Sequence, residues 1–172
     1  DLSPLAGMPL EQLYLSGTKV TDLTPLAGMS LQELNLVGTP LQDLSGLANV
    51  DVGTLWIPQT KVADLAPLAG KSLISLDLQD TPVSDLSPLA GNQSLRRLHI
   101  GGTQVTDLSV LAGLRLERLI LDPKKITAGI DAIRNMPSLR GLDVSFEPGS
   151  EVMTPTQFWE RYDAGEWRGG NE

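Results

Sequence analysis

At 172 residues and 41% hydrophobic content, the chain can bury the core of one domain, which argues against a disordered segment. Its 13 Lys and Arg against 21 Asp and Glu leave a formal charge of −8, with no basic run to track a phosphate backbone, so nucleic acid is not an expected partner. There is no cysteine, hence no disulfide or thiolate metal site, and no apolar stretch approaches the about 18 residues needed to insert into a membrane.

The opening phrase DLSPLAGMPLEQLYLSGTKVT, residues 1 to 21, returns at once as DLTPLAGMSLQELNLVGTPLQ, residues 22 to 42. Units aligned on the Asp-Leu pair begin at Asp1, Asp22, Asp43, Asp64, Asp85 and Asp107, with a degenerate seventh at Gly129 and a period of 21 or 22 residues. Within each unit runs the pattern L-x-x-L-x-L-x-x-T-x-V, as in Leu10, Leu13, Leu15, Thr18 and Val20, or Leu95, Leu98, Ile100, Thr103 and Val105. The x-L-x-L-x alternation predicts a short strand with its leucines on one side. In DLSPLAG, Leu2 and Leu5 stand three apart, the spacing of one tight helical turn. One such coil cannot bury its apolar face alone, so coils stack and their strands form a parallel sheet.

Three ladders of smaller residues support each coil. The Asp of each unit is placed to accept from the free amides of the following turn, the N-cap role. Gly7, Gly28, Gly70, Gly91 and Gly113 close the turns, with Asn49 standing in for glycine in the third coil. Asn tolerates positive φ better than most residues, so a left-handed residue is expected at all six positions. Thr18, Thr39, Thr60, Thr81 and Thr103 follow the strands, where a hydroxyl can bond the backbone of the bend. Pro123 and Lys124 interrupt the sixth coil, so a reshaped bend is expected there.

Period and spacing together match the leucine-rich repeat signature. The short unit with its DLSPLAG turn resembles the repeats of internalin-type bacterial proteins, and the variant LSGTKVTDLTPLAGM is similar to repeats linked to bacterial serine/threonine protein kinases of eukaryotic type. The resemblance implies an α/β solenoid over residues 1–145, about seven coils, with a parallel sheet on one face and short 3-10 turns on the other. It also implies a protein-binding module of signalling type, with a kinase-linked regulatory or architectural segment as the alternative. None of the kinase glycine-rich, H-R-D or D-F-G motifs is present. Because the chain opens inside a repeat, it is expected to be the C-terminal piece of a longer protein, with the first coil lacking a natural cap.

Composition shifts after residue 145, where five of the seven aromatic residues lie. In MTPTQFWERYDAG, Thr154, Pro155, Thr156 and Gln157 predict a capping box with Pro at the first helical position. Met153 and Phe158 are placed for a hydrophobic staple, and Gly165 for the stop. Residues 146–172 are therefore read as a capping segment with one short helix carrying Phe158, Trp159 and Tyr162. A partner-docking role for that helix is the less favoured reading.

Function is sought on the exposed strand positions. The central column is Tyr14, Asn35, Trp56, Asp77, His99, Ile120 and Asp143; a flanking column is Gln12, Glu33, Thr54, Ser75, Arg97, Arg118 and Gly141. Members of a column are expected about 4.8 Å apart. Asp77 beside His99 is half of a catalytic triad, but Ile120 occupies the far side, so a surface ion pair or recognition contact is favoured over catalysis. One His with one carboxylate falls short of a metal ligand set, and one Asp per coil falls short of a calcium ladder. No cofactor is expected. Arg97 and Arg118 form a basic spot, read as pairing with Asp77, Asp122 or Glu117 slightly ahead of an acidic-ligand site. Tyr14 and Trp56, with Asn35 between them, are the candidate recognition patch, since large aromatics offered to solvent from a rigid sheet are enriched at interfaces. The partner is expected to be a protein, and the chain a monomer.

Overall fold

A computed structural model describes residues 1–146, 149 and 151–167. Seven strands form one sheet in chain order, every neighbouring pair parallel: β1 (Gln12–Tyr14), β2 (Ser30–Asn35), β3 (Asp51–Trp56), β4 (Ser75–Asp77), β5 (Arg97–His99), β6 (Arg118–Ile120) and β7 (Gly141–Asp143). Six three-residue 3-10 turns, from Ser3–Leu5 to Ser109–Leu111, form the opposite side, and in the seventh coil a short helix, α1 (Ile130–Arg134), takes their place. The helix α2 (Pro155–Asp163) caps the C-terminal end, making the chain an α/β solenoid.

The register follows the apolar period. Leu13, Leu34, Leu55, Leu76, Leu98, Leu119 and Leu142 pair across consecutive strands. From Leu34 onward each is buried, whereas Leu13, like Leu5, Leu10 and Leu15, is only half-buried. Burial of such a leucine stabilises by roughly 1.5–3 kcal/mol. The stack of coils thus supplies most of the driving force, and the first coil receives the least of it.

The Asp ladder bonds every turn but stands one position earlier than a cap. Oδ1 of Asp1, Asp22, Asp43, Asp64, Asp85 and Asp107 accepts from the amide two residues on at 2.7–2.8 Å, while a leucine occupies the capping position itself. The threonine ladder is as expected. Each hydroxyl donates to the carbonyl three residues back, from Thr18 to Leu15 at 2.7 Å through Thr103 to Ile100 at 2.7 Å, and all but Thr18 are buried. In the sixth coil the bend is rebuilt around Asp122, which accepts from the Lys124 and Lys125 amides, and Lys125 Nζ donates to the Thr103 carbonyl at 2.8 Å.

The third coil departs from expectation. The five glycines close their turns with positive φ, but Asn49 does not. The residue before it, Ala48, is helical (φ −51°, ψ −41°), where alanines of the other turns have ψ near 130°. The cause lies in Gly46, which replaces the proline of neighbouring coils. A Cβ there would meet the Leu23 backbone at 2.6 Å, so the third turn sits closer to the second than a side chain would permit. The displaced carbonyls are recovered by Gly28, whose amide donates to Asn49, and by Lys71 Nζ, which donates to Ala48 and Val50 at 3.1 and 2.8 Å. A second left-handed ladder, absent from the sequence reading, runs through the bends after the first five strands: Gly17, Gly38, Gln59, Asp80 and Gly102.

At the far end, the capping box is complete, with Thr154 Oγ1 accepting from the Gln157 amide and Gln157 Oε1 from the Thr154 amide. Phe158 is fully buried, stacked on Trp167 at 4.8 Å and edge-on to Trp159 at 5.0 Å. The Leu142 amide of β7 donates to the Met153 carbonyl at 2.9 Å, so the last strand's edge is engaged.

Candidate functional site

The side chains opposite the leucine core form a continuous face. Cα pairing aligns Tyr14, Asn35, Trp56, Asp77, His99, Ile120 and Asp143 in one column, and Gln12, Glu33, Thr54, Ser75, Arg97, Arg118 and Gly141 in the next. Short strands joined by tight, doubly bonded bends hold these columns rigidly, which lowers the entropy a partner must offset.

Exposure along the central column falls steeply. Tyr14 is 55% exposed, Asn35, Trp56 and Asp77 are half-buried, and His99, Ile120 and Asp143 are buried at 8%, 5% and 6%. Neither Tyr14 nor Trp56 packs on the leucine core. Tyr14 donates its hydroxyl to the Glu33 carboxylate, and that hydrogen bond, with lesser contributions from desolvation and the carboxylate's charge, raises the phenol above its ordinary pKa. Asn35 is fixed by two donors to its Oδ1, the Ser16 hydroxyl at 2.6 Å and the Val37 amide at 3.1 Å.

His99 is not the surface residue the sequence suggested. Its Nδ1 lies 3.2 Å from Asp77 Oδ1, and its ring is packed over the following bend, where a Cβ on Gly101 would come within 2.9 Å of Nε2. Burial on that scale is possible because Gly101 has no side chain; the GG pair in "HIGGT" is the sequence signal for it. Asp77 is fixed in turn by the Gln79 amide at 2.9 Å. Among the described residues no group of three or more His, Asp and Glu side chains could hold a metal.

The arginines also resolve differently. Arg118 pairs with Asp143 at 3.1 Å rather than with Asp122 or Glu117, and Glu117 lies 3.6 Å from Arg96. Strand alternation puts Glu117 in the column of Arg96, one residue out of step with Arg97 and Arg118. The Arg97 guanidinium, exposed, has no polar partner among the described residues. Arg118 also lies over the ring of Phe146, 5.6 Å to its centroid, and Phe146 is 55% exposed. Phe146 escaped the sequence reading because it follows the last strand and belongs to no repeat column. Its position among the clustered aromatics was the available signal.

The family described as Leucine Rich repeats (2 copies) matches residues 71–113. Among solved structures, internalin C2 of Listeria monocytogenes is 35% identical, with a TM-score of 0.70 over 80% of this chain and 64% of its own. An internalin of the same organism, InlF, is 22% identical, with a TM-score of 0.55 over 79% of this chain and 54% of its own, and supports the fold alone. The chain therefore spans less than two thirds of either internalin's length. None of the curated proteins compared matches this chain. Among the described residues no helix is long and apolar enough to cross a membrane.

Proposed function

We propose, from the premise that this chain is a leucine-rich repeat protein of internalin type, that it is a non-catalytic module binding a protein partner through the exposed face of its sheet. The observation that carries the reading is the trio Tyr14, Asn35 and Trp56. Two large aromatics and a fixed amide stand on a rigid sheet, in register, without packing on the core. Aromatic anchors of this kind desolvate a large area while giving up few rotamers. Asp77, Arg97 and Arg118 extend the patch toward the C-terminal coils, with the buried His99 stiffening Asp77 from behind and Arg97 offering a cation that has no polar partner among the described residues. The chain acts as a monomer in this reading.

Placement in a longer bacterial protein, including the alternative of a regulatory repeat segment beside a serine/threonine kinase domain, rests on the resemblance of the turn phrases. Reading the gene upstream of Asp1 tests it.

The binding reading is tested with Trp56→Ala. The variant should melt close to the parent, because Trp56 lies outside the leucine core. Its affinity for a partner isolated on the immobilised parent chain should fall by roughly 2 kcal/mol or more. Ser87→Ala, on the opposite side, should leave binding unchanged. A Trp56→Ala chain that folds and binds like the parent places recognition on another surface.

A further inference from the structure

The C-terminal half of the sheet face differs in chemistry from the Tyr14–Trp56 patch. Arg97 and Arg118 are direct partners on adjacent strands. Like charges so placed repel, and on a chain of net charge −8 a neutralising carboxylate would be easy to supply. Among the described residues only one of the two is neutralised. Asp143 pairs with Arg118 at 3.1 Å, while Arg97 has no acceptor among the described residues. Arg118 Nε is buried and likewise has no acceptor.

Beside these guanidinium groups lies a cleft of about 110 Å³, walled by Ile120, Phe146, His99 and Ser75. That is well below the about 300 Å³ at which small-molecule pockets begin. It admits one side chain. Its floor is apolar, because Ile120 takes the column position that other coils fill with Asn35 or Asp77, and the Phe146 ring is steadied by the Arg118 guanidinium.

We propose that this cleft is a subsite for an adjoining acidic and aliphatic residue pair on the protein partner. The carboxylate engages Arg97, and the aliphatic side chain enters between Ile120 and Phe146. Arginine suits the first task because its planar fork matches a carboxylate in two parallel hydrogen bonds. The apolar wall suits the second, and by excluding water it strengthens the first. Glu33, in the same column on β2, gives the other end of the face the opposite polarity and directs the partner's acidic end toward β5 and β6. This subsite rests on the reading of the sheet face as the binding surface.

The test uses the isotope-labelled full chain and five probes followed by NMR: acetyl-Gly-Asp-Leu-Gly-amide, acetyl-Gly-Leu-Asp-Gly-amide, the Asn analogue of each, and free isovalerate. The expected result is millimolar binding of one of the two Asp peptides, with shifts at Arg97, Ile120 and Phe146, and at least fivefold weaker binding of its Asn analogue. Arg97→Gln should weaken the Asp peptide by a similar factor and leave the parent spectrum elsewhere unchanged, since the side chain is exposed. Phe146→Ala should weaken both the Asp and the Asn forms. The proposal is overturned by equal binding of Asp and Asn peptides, by isovalerate binding as tightly as the peptide, or by no shift at millimolar peptide. Shifts confined to Tyr14 and Trp56 would also overturn it while leaving the broader face intact, and the Trp56→Ala measurement decides that face separately.

Discussion

The two ends of the solenoid share one consensus and differ in what lies beyond it. In the first coil Leu5, Leu10, Leu13 and Leu15 stand half-buried, packed on the second coil alone among the described residues. In the last coil Leu142, the same repeat position as Leu13, is fully buried, because α2 drives Phe158 into the stack and Trp167 closes over it. Identical leucines therefore carry different energies, and the difference comes from the neighbour, not the residue. In a stack of this kind stability is close to a sum of coil and interface contributions, and an end coil lacks one interface.

The contrast is broken most forcefully at Phe158. Phe158→Ala should cost about 3–5 kcal/mol, since a fully buried ring is removed from a site walled by Trp159 and Trp167. Deleting residues 151–172 should cost more and expose Leu139 and Leu142, with aggregation following. Urea melts and light scattering check both. A truncated chain that stayed monomeric with an unchanged melting temperature would assign the aromatic helix to a partner instead of to the core.

A paired substitution sharpens the comparison at matched positions. Leu76→Ala, in the fully stacked fourth coil, should destabilise by about 2–5 kcal/mol, and Leu13→Ala by markedly less. Hydrogen exchange should follow the same gradient, with residues 1 to 21 exchanging before residues 64 to 106. Equal protection across the two would mean that the first coil is held by something other than stacking.

The hydroxyl ladder allows a subtler form of the same test. Thr60→Val leaves the buried Ile57 carbonyl without its 2.8 Å donor and should cost about 1–3 kcal/mol. Thr18→Val removes an equivalent bond, 2.7 Å to Leu15, at an exposed bend where water can replace it, and should cost less. Thermal melts of the two single variants and the double variant decide this, and the effects should add because the sites are far apart.

Much of this architecture was legible because every coil repeats the same solution. Strand register, the inward leucines, the threonine bonds and the glycine-closed turns could be read from spacing alone, since each unit confirms the one before it. What escaped the sequence were departures that depend on contact between units. Asn49 looked like a left-handed residue, but Gly46, pressed against Leu23 of the neighbouring coil, lets the third turn shift inward and removes the need for one. His99 looked exposed until Gly101 made room for its ring. Arg118 was given the wrong carboxylate because Asp143 comes to it from across the neighbouring strand, and Phe146 belongs to no column at all. Periodicity states what each coil has in common with the others, whereas a binding face is built from what they do not share.

The smallest effect expected is electrostatic and lies in the Asp ladder. Asp43 receives the Ser45 hydroxyl and amide, both at 2.7 Å, and Asp85 receives the Ser87 amide and hydroxyl in the same way. These bonds favour the ionised carboxylates and hold both below the ordinary Asp pKa, led by the hydroxyl at Asp43 and by the amide at Asp85. Because the folded state binds these protons less readily than the unfolded one, the stabilisation is complete above the unfolded pKa of about 3.9 and is lost as pH falls through the lower, folded value. Melting temperature should therefore be flat near neutrality and decline in acid. Asp64 marks the comparison within the ladder, since Ala66 supplies an amide bond at 2.8 Å and no hydroxyl. Ser87→Ala gives Asp85 that same single bond, so its carboxyl carbon, followed by NMR through an acid titration, should titrate at higher pH than in the parent. Ser45→Ala should move Asp43 in the same direction, the hydroxyl being the leading cause there. An Asp43 titration unmoved by Ser45→Ala would mean that the turn amide alone holds the ladder's charge.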